Sequence, residues 1–246
     1  MKELIAKYCR ELRLGNRMSE EYEKIEAATH EEFLAKLLAI EVGHREVART
    51  NRFIKNANFD IVKTFDQYDF TRISLPASAP IEIIKSGSFI NEKQNLILYG
   101  PSGVGKTHLA TAIGVEQCRQ GKEVKFYNAV SMAEFQGLVN ELIEAQQQGR
   151  LAKLLKSIEK AELLICDEWG FLPLSHEGAQ LLFQVVSACY ERKSLILTTN
   201  LEFSKWSTIF YDEKLTAALI DRLVHHSHLI TFQGPSYRYQ HSSINL

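Results

Sequence analysis

The stretch Leu96-Ile97-Leu98-Tyr99-Gly100-Pro101-Ser102-Gly103-Val104-Gly105-Lys106-Thr107 constrains the fold of this chain more than any other. An apolar run short enough to be one buried strand breaks into a glycine-rich loop. The loop opens into Leu109-Ala110-Thr111-Ala112-Ile113, which has helical composition. Its spacing fits G-x-x-x-x-G-K-[ST], the phosphate-binding P-loop. Gly100, Gly103 and Gly105 let the backbone curl until successive N–H groups point at one phosphate chain, a nest that a Cβ would obstruct. The positive end of the following helix adds to that field. Lys106 places a charge on the β- and γ-phosphates, and Thr107 offers its hydroxyl to Mg²⁺. Pro101, Ser102, Val104 and His108 lie in or beside the same loop and count with the nucleotide-binding residues. A plain glycine turn before a helix matches all four fixed positions in roughly one chain in a hundred of this length. The strand before and helix after lower that figure further, so the stretch implies a bound nucleoside triphosphate.

Length and composition set the frame around that loop. The 246 residues suffice for one large domain, or a moderate one with a small appendage. Hydrophobic residues make up 45% and charged residues 24%, the balance of a soluble globular chain. No apolar run reaches ~18 residues, which excludes a membrane span, and Met1-Lys2-Glu3-Leu4-Ile5 lacks the apolar core of a signal peptide. Cys9, Cys118, Cys166 and Cys189 are widely separated with no C-x-x-C, against a zinc or disulfide framework. A cytoplasmic location is expected. Net charge is −1, so nucleic acid would have to be met by local basic patches.

Residues 1–60 read as a small all-helical domain. Leu4, Ile5, Tyr8 and Leu12 keep helical spacing until Gly15-Asn16, and Ser19 is placed to cap a second helix with Glu20, Glu21 and Glu23 in its first turn. Thr29-His30-Glu31-Glu32 fits a capping box for a longer helix carrying Phe33, Leu34, Leu37, Leu38 and Val42. Arg45, Arg49, Arg52 and Lys55 recur every three or four residues and share a face. That face is either simply solvated or tracks nucleic-acid phosphates. Residues 61–95 read as a linker and lead-in. Phe59, Phe65, Tyr68 and Phe70 around it either pack the approach to the next domain or line a nucleotide base.

From residue 96 to 246 strands and helices alternate, the signature of a parallel sheet flanked by helices. Ser131-Met132-Ala133-Glu134 reads as a capping box for a helix burying Phe135, Leu138, Val139, Leu142 and Ile143. A second helix sets Leu151, Leu154, Leu155 and Ile158 opposite Arg150, Lys153, Lys156 and Lys160. Leu163-Leu164-Ile165-Cys166-Asp167-Glu168 is a buried strand delivering two carboxylates at its C-terminal end, the Walker B pattern. Asp167 is expected to hold Mg²⁺ and Glu168 to act as general base on the attacking water. Ser194–Asn200 is another buried strand. Asn200 either contacts that water and the γ-phosphate or merely starts a turn. His225, His226 and His228 have no close cysteine or carboxylate in sequence, and a helix C-terminus that favours imidazole accounts for them better than a metal.

Gly100–Thr107, Leu163–Glu168, the strand ending at Asn200 and Asp221-Arg222 together resemble AAA+ ATPases of the DnaA/DnaC clade. The resemblance is closer to the IstB-like helper ATPases of insertion-sequence transposition. It rests on the helical N-terminal region, Lys63-Thr64-Phe65-Asp66-Gln67-Tyr68-Asp69-Phe70, Cys166-Asp167-Glu168-Trp169-Gly170, and Gly234-Pro235-Ser236-Tyr237-Arg238. It implies a P-loop AAA+ core of parallel sheet and helices, with a DNA-facing helical insertion at about 131–160. It also implies ATP and Mg²⁺ as ligands, a ring or spiral homo-oligomer on duplex DNA, and an IstA-like transposase as partner. The N-terminal domain would contact DNA or transposase. Arg222 aligns with the arginine finger, which reaches a neighbouring subunit's nucleotide. About 24 residues follow Arg222, too few for the usual C-terminal helical lid, which leaves open whether Arg238 replaces its sensor arginine. A DnaC-type helicase loader shares most of these motifs. A metabolic P-loop kinase fits less well, because Asp167-Glu168, Asn200 and Arg222 point to hydrolysis by an oligomer.

Overall fold

The structure is a computed structural model that describes residues 1–128, 137–170, 173–210 and 212–240. The capping box expected at 131–134, and Phe135, lie outside the described residues. The chain divides into two compact units, Met1–Arg52 and Phe53–Leu246.

In the first unit α1 (Lys2–Glu11) packs against α2 (Asn16–Glu21), and α3 (His30–Ala57) begins here. The expected capping box is present at the start of α3. The Glu32 N–H donates to Thr29 Oγ1 at 3.2 Å, and Glu32 Oε2 accepts from the Ala28 N–H at 2.8 Å. Ser19 is not a cap. It lies inside α2 and its hydroxyl donates back to the Asn16 carbonyl at 2.6 Å. Helix resumes directly after Gly15, so Glu20 and Glu21 end α2 and Glu23 sits in the 3₁₀ turn behind it. Buried Glu41 closes the unit. One carboxylate oxygen accepts the Gly15 N–H at 2.8 Å and the other accepts Arg45 Nε at 2.7 Å. The Arg45 bond, then the Gly15 N–H, hold this carboxyl below the usual range. Leu4, Tyr8, Leu12, Leu34, Leu38 and Val42, the helical apolar pattern, are largely exposed.

The second unit is built on a sheet of order β1-β6-β2-β5-β4-β3 among the described residues. Its strands are β1 (Ile73–Ser74), β2 (Asn95–Tyr99), β3 (Val124–Asn128), β4 (Leu163–Trp169), β5 (Ser194–Thr199) and β6 (Ser227–Phe232). All neighbours pair in parallel except β1, which runs antiparallel to β6. Strand alternation divides the core in two. Ile97, Leu164, Cys166, Leu195 and Leu197 face one side, under α7 (Leu138–Gln147), α8 (Leu151–Lys160), α9 (His176–Cys189) and α11 (Glu213–His225). Leu96, Leu98, Leu163, Ile165 and Ile196 face the other, under α4 (Ile81–Ser86), α5 (Ser88–Asn91) and α6 (Lys106–Arg119). With apolar cover on both faces the central strands read as unbroken hydrophobic runs. Two short helices complete the unit, α10 (Ser207–Phe210) and α12 (Tyr237–Gln240).

The sheet unit starts ahead of the lead-in, at Phe53. Phe53, Phe59, Phe65, Phe70 and Ile73 pack against the cluster on the α6 face, and Phe59 lies 5.7 Å from the Phe126 ring. Within 61–95, Phe65, Phe70, Ile84, Phe89 and Ile90 thus pack on one face of the sheet, and Ile73–Ser74 adds its edge strand. Burial of that face is worth about 1.5–3 kcal/mol for each large side chain fully removed from water. Among the described residues no helix is long and apolar enough to cross a membrane.

Candidate nucleotide site

The P-loop leaves β2 and enters α6 at the C-terminal edge of the sheet. The Gly100 N–H is tied to the Thr199 carbonyl at 3.2 Å, which fixes the loop beside the end of β5. Gly105 is the N-cap of α6 at φ +101, a left-handed conformation that a side chain would strain. Lys106 Nζ donates to the Gly100 and Pro101 carbonyls at 2.7 and 2.6 Å, so the ammonium is already curled over the loop. Burial is the main cause that brings this lysine down to about 8, opposed by Asp167 and Glu168 and reinforced by Arg238. His108 is turned away from the loop, its Nε2 3.1 Å from the Thr64 carbonyl. The Tyr68 ring stands edge-on to His108 at 5.1 Å and close to Gly105. Of the lead-in aromatics, Phe59 is packing and Tyr68 is the one beside the P-loop.

β4 brings the carboxylates to this edge through a bulge. Cys166 pairs with Leu197 and Trp169 with Thr199, so Asp167 and Glu168 together face the single residue Thr198. Glu168 takes φ +57, uncommon for a residue with a side chain. Asp167 consequently points inward at 2% exposure while Glu168 stays exposed. The Thr198 hydroxyl serves both, accepting the Glu168 N–H at 2.9 Å and donating to Asp167 Oδ1. Thr107 Oγ1 donates to the same Asp167 oxygen at 3.1 Å. Burial raises the Asp167 carboxyl, offset by the Thr198 and Thr107 bonds. Partial burial first, then Asp167 and Asp60, raises Glu168, while Arg238 and Lys106 pull it down. Convergence of Thr107 and Asp167 on one point, next to a loop lined by N–H groups, fits a Mg²⁺–triphosphate pair.

Thr198 is the residue that sequence reasoning missed; its only signal was a polar side chain near the end of an apolar strand. Thr198→Val is expected to lower the rate of ATP hydrolysis about tenfold or more while leaving nucleotide affinity within about twofold, because the P-loop is untouched. Loss of a buried partner costs about 1–3 kcal/mol of stability. Thr198→Ser should restore rate and stability together. A wild-type rate in the valine variant would remove Thr198 from the site.

The C-terminal segment also closes on the loop. The Tyr237 N–H donates to the Gly103 carbonyl at 2.9 Å, and Ser236 occupies the space where Gly103, at φ +79, would carry a Cβ. Arg72 Nη1 donates to Gln240 Oε1 at 3.1 Å. Arg238 thereby acts electrostatically on both Lys106 and Glu168. Asn200 is exposed just past β5, next to the residue that anchors Gly100. Arg222 is not brought to this site. It lies near the start of β2, where the carbonyl of the next residue, Leu223, accepts from Asn95 Nδ2 at 3.2 Å, whereas the P-loop leaves the other end of that strand. Its guanidinium donates to Ser187 Oγ at 3.0 Å and rests 4.5 Å from the Phe183 ring centre.

The basic residues divide similarly. Lys153, Lys156 and Lys160 are exposed on α8, while Leu151, Leu154, Leu155 and Ile158 pack into the core, as the helical pattern requires. Arg150 instead pairs with Glu144 at 3.6 Å and with Gln148. Arg49, Arg52 and Lys55 are exposed on α3. Arg45 is committed to Glu41 and, through Nη2, to the Arg13 carbonyl at 2.8 Å.

A mostly parallel sheet with a P-loop and an inward-outward carboxylate pair at its C-terminal edge defines the nucleotide-binding core of a P-loop AAA+ protein. The particular family follows from comparison. A model of IstB-like ATP binding proteins matches residues 14–245, and the chain belongs to that family. It is 38% identical over 243 residues to a protein named for ATP binding in insertion sequence IS5376 of Geobacillus stearothermophilus, covering 97% of this chain and 94% of that one. It is 37% identical to the corresponding protein of insertion sequence IS232 of Bacillus thuringiensis subsp. berliner, over 84% of this chain and 80% of that one. Among solved structures it superposes on DnaI with a TM-score of 0.53 at 18% identity, covering 76% of this chain and 93% of that one, a likeness of fold.

Proposed function

We propose that this chain is an ATP-hydrolysing, DNA-binding protein of insertion-sequence transposition that assembles on duplex DNA and recruits and stimulates its element's transposase. One observation carries the catalytic part: Thr107, Asp167 and Thr198 form a single hydrogen-bonded chain that locks the Walker B carboxylates to the P-loop. Bound Mg²⁺, held by Thr107 and Asp167, would neutralise charge on the phosphate oxygens. Lys106 transfers its hydrogen bonds from the loop carbonyls to the β- and γ-phosphates. Glu168, aimed outward by its bulge, takes the proton of the attacking water, and Asn200 orients that water. Arg238 supplies a second positive charge from the same chain. Arg222 serves a neighbouring subunit. Family membership supports the insertion-sequence context, since both relatives described above are named for such elements.

DNA contact is assigned to the α8 lysines, assisted by the exposed basic residues of α3, and the N-terminal unit is assigned contact with DNA or transposase. A few charges on one subunit bind weakly, but repetition of the stripe in a spiral multiplies the counterions released. Binding should therefore need ATP, ignore sequence and fall steeply with salt. Lys153→Glu with Lys156→Glu should cut affinity for every duplex about tenfold or more, with DNA-free ATP hydrolysis unchanged, as read by fluorescence anisotropy at two salt concentrations. Normal DNA affinity in an ATP-assembled oligomer of this double variant would shift the contact to the N-terminal helices.

A further inference from the structure

At the sheet edge away from the P-loop, the turn after α9 and the end of α11 bring together side chains that lie far apart in sequence. We propose that Glu191, His225 and His226 form a binding site for a divalent transition metal such as zinc. The fold supplies the carboxylate that the chain order does not place beside the histidines. Each of the three offers a ligand atom, and these atoms lie within 4.8 Å of one another. Glu191 Oε1 is 3.4 Å from His226 Nε2, and the two imidazole centres are 4.0 Å apart. Tetrahedral zinc with bonds near 2.0–2.1 Å separates its ligands by about 3.3 Å. Small side-chain rotations on these exposed residues close that gap.

Two features beyond proximity support a metal. The Tyr190 hydroxyl lies 2.7 Å from His225 Nδ1, and its ring stacks on the imidazole at 6.0 Å. A partner on one ring nitrogen orients the imidazole and directs the other nitrogen at a metal, the usual support of a ligating histidine. The backbone adds to this. Glu191 is held at φ +56 in the turn behind α9, and His225 ends α11, where the helix dipole favours a cation. Two imidazoles and one carboxylate, with a position left for water, suit zinc better than magnesium. The surrounding charges are mixed: Asp221 and Arg222 both act on the Tyr190 hydroxyl, and exposed Arg192 follows Glu191. The metal would tie the end of α9 to the end of α11, the two helices between which Arg222 rests on Ser187 and Phe183.

The test uses the full chain without nucleotide, so it stands or falls apart from the ATPase reading. Co²⁺ titrated into metal-free protein should give one equivalent of visible absorption that Zn²⁺ displaces. Glu191→Gln, His225→Ala and His226→Ala should each weaken that binding at least tenfold, and Tyr190→Phe by a few fold. His176→Ala, an exposed histidine elsewhere, should leave it unchanged. All five positions are at the surface or partly so, and an unchanged circular-dichroism melt without metal shows that each variant is folded. No stoichiometric signal, or one that survives His225→Ala combined with His226→Ala, overturns the site.

Discussion

Glu168→Gln is expected to bind ATP with wild-type affinity and to hydrolyse it about 10³-fold more slowly, within the range that a general base contributes. The amide keeps the shape, and the backbone N–H that anchors residue 168 on Thr198 is unchanged. Asp167 and the P-loop are likewise left intact. Wild-type hydrolysis also has a pH signature. Partial burial and the neighbouring Asp167 raise the Glu168 carboxyl, so the rate should fall with decreasing pH from above the ordinary glutamate range, a limb absent in the glutamine variant. Lys106→Ala acts at the other end of the site and should weaken ATP binding about 100-fold, the loss of charged hydrogen bonds. With the wild-type lysine at about 8 before nucleotide arrives, affinity should decline as pH rises past that value, because the phosphates require the ammonium form. Single-turnover phosphate release and equilibrium binding of a fluorescent ATP analogue read the two effects separately. Hydrolysis by Glu168→Gln at the wild-type rate would overturn the Walker B assignment.

What was legible in the sequence is what a short window encodes. Glycine spacing before Lys106-Thr107, the apolar run into Asp167-Glu168 and the capping box at Thr29 each carry their meaning within a few residues. The helix after the loop, the strand into the carboxylates and the Thr29 hydrogen bond appear where those windows place them. What escaped depends on register between distant segments. That Thr198 serves both carboxylates follows from a bulge that sets Asp167 and Glu168 opposite one residue of β5, which no local pattern announces. Ser236 against Gly103 and Glu191 beside His226 are products of the same folding of remote chain. The apparent linker at 61–95 looked irregular because its aromatics lack periodicity, yet they pack a sheet face as irregular cover. Ser19 was misread because a local capping pattern also matches a serine that bonds back to its own helix.

Arg222→Ala is expected to retain ATP binding, lose about 10³-fold or more of the hydrolysis rate, the scale on which an arginine finger acts, and weaken ATP-dependent assembly. The position of Arg222 argues for action between subunits. It sits by the start of β2, the end of that strand away from its own P-loop, and is oriented by Ser187 and the Phe183 ring. Its half-buried guanidinium lies against α9, whereas Arg238 is the arginine whose charge acts on Lys106 and Glu168 of the same chain. Two defective proteins should then complement each other. Lys106→Ala protein supplies a working Arg222 and Arg222→Ala protein a working P-loop, so mixtures should recover part of the activity that neither has alone, rising and falling with their ratio. Size-exclusion chromatography of differently tagged chains shows whether mixed oligomers form. If they form and no ratio restores phosphate release, Arg222 acts through its contacts with α9 inside its own subunit, and the finger must be sought among the exposed arginines.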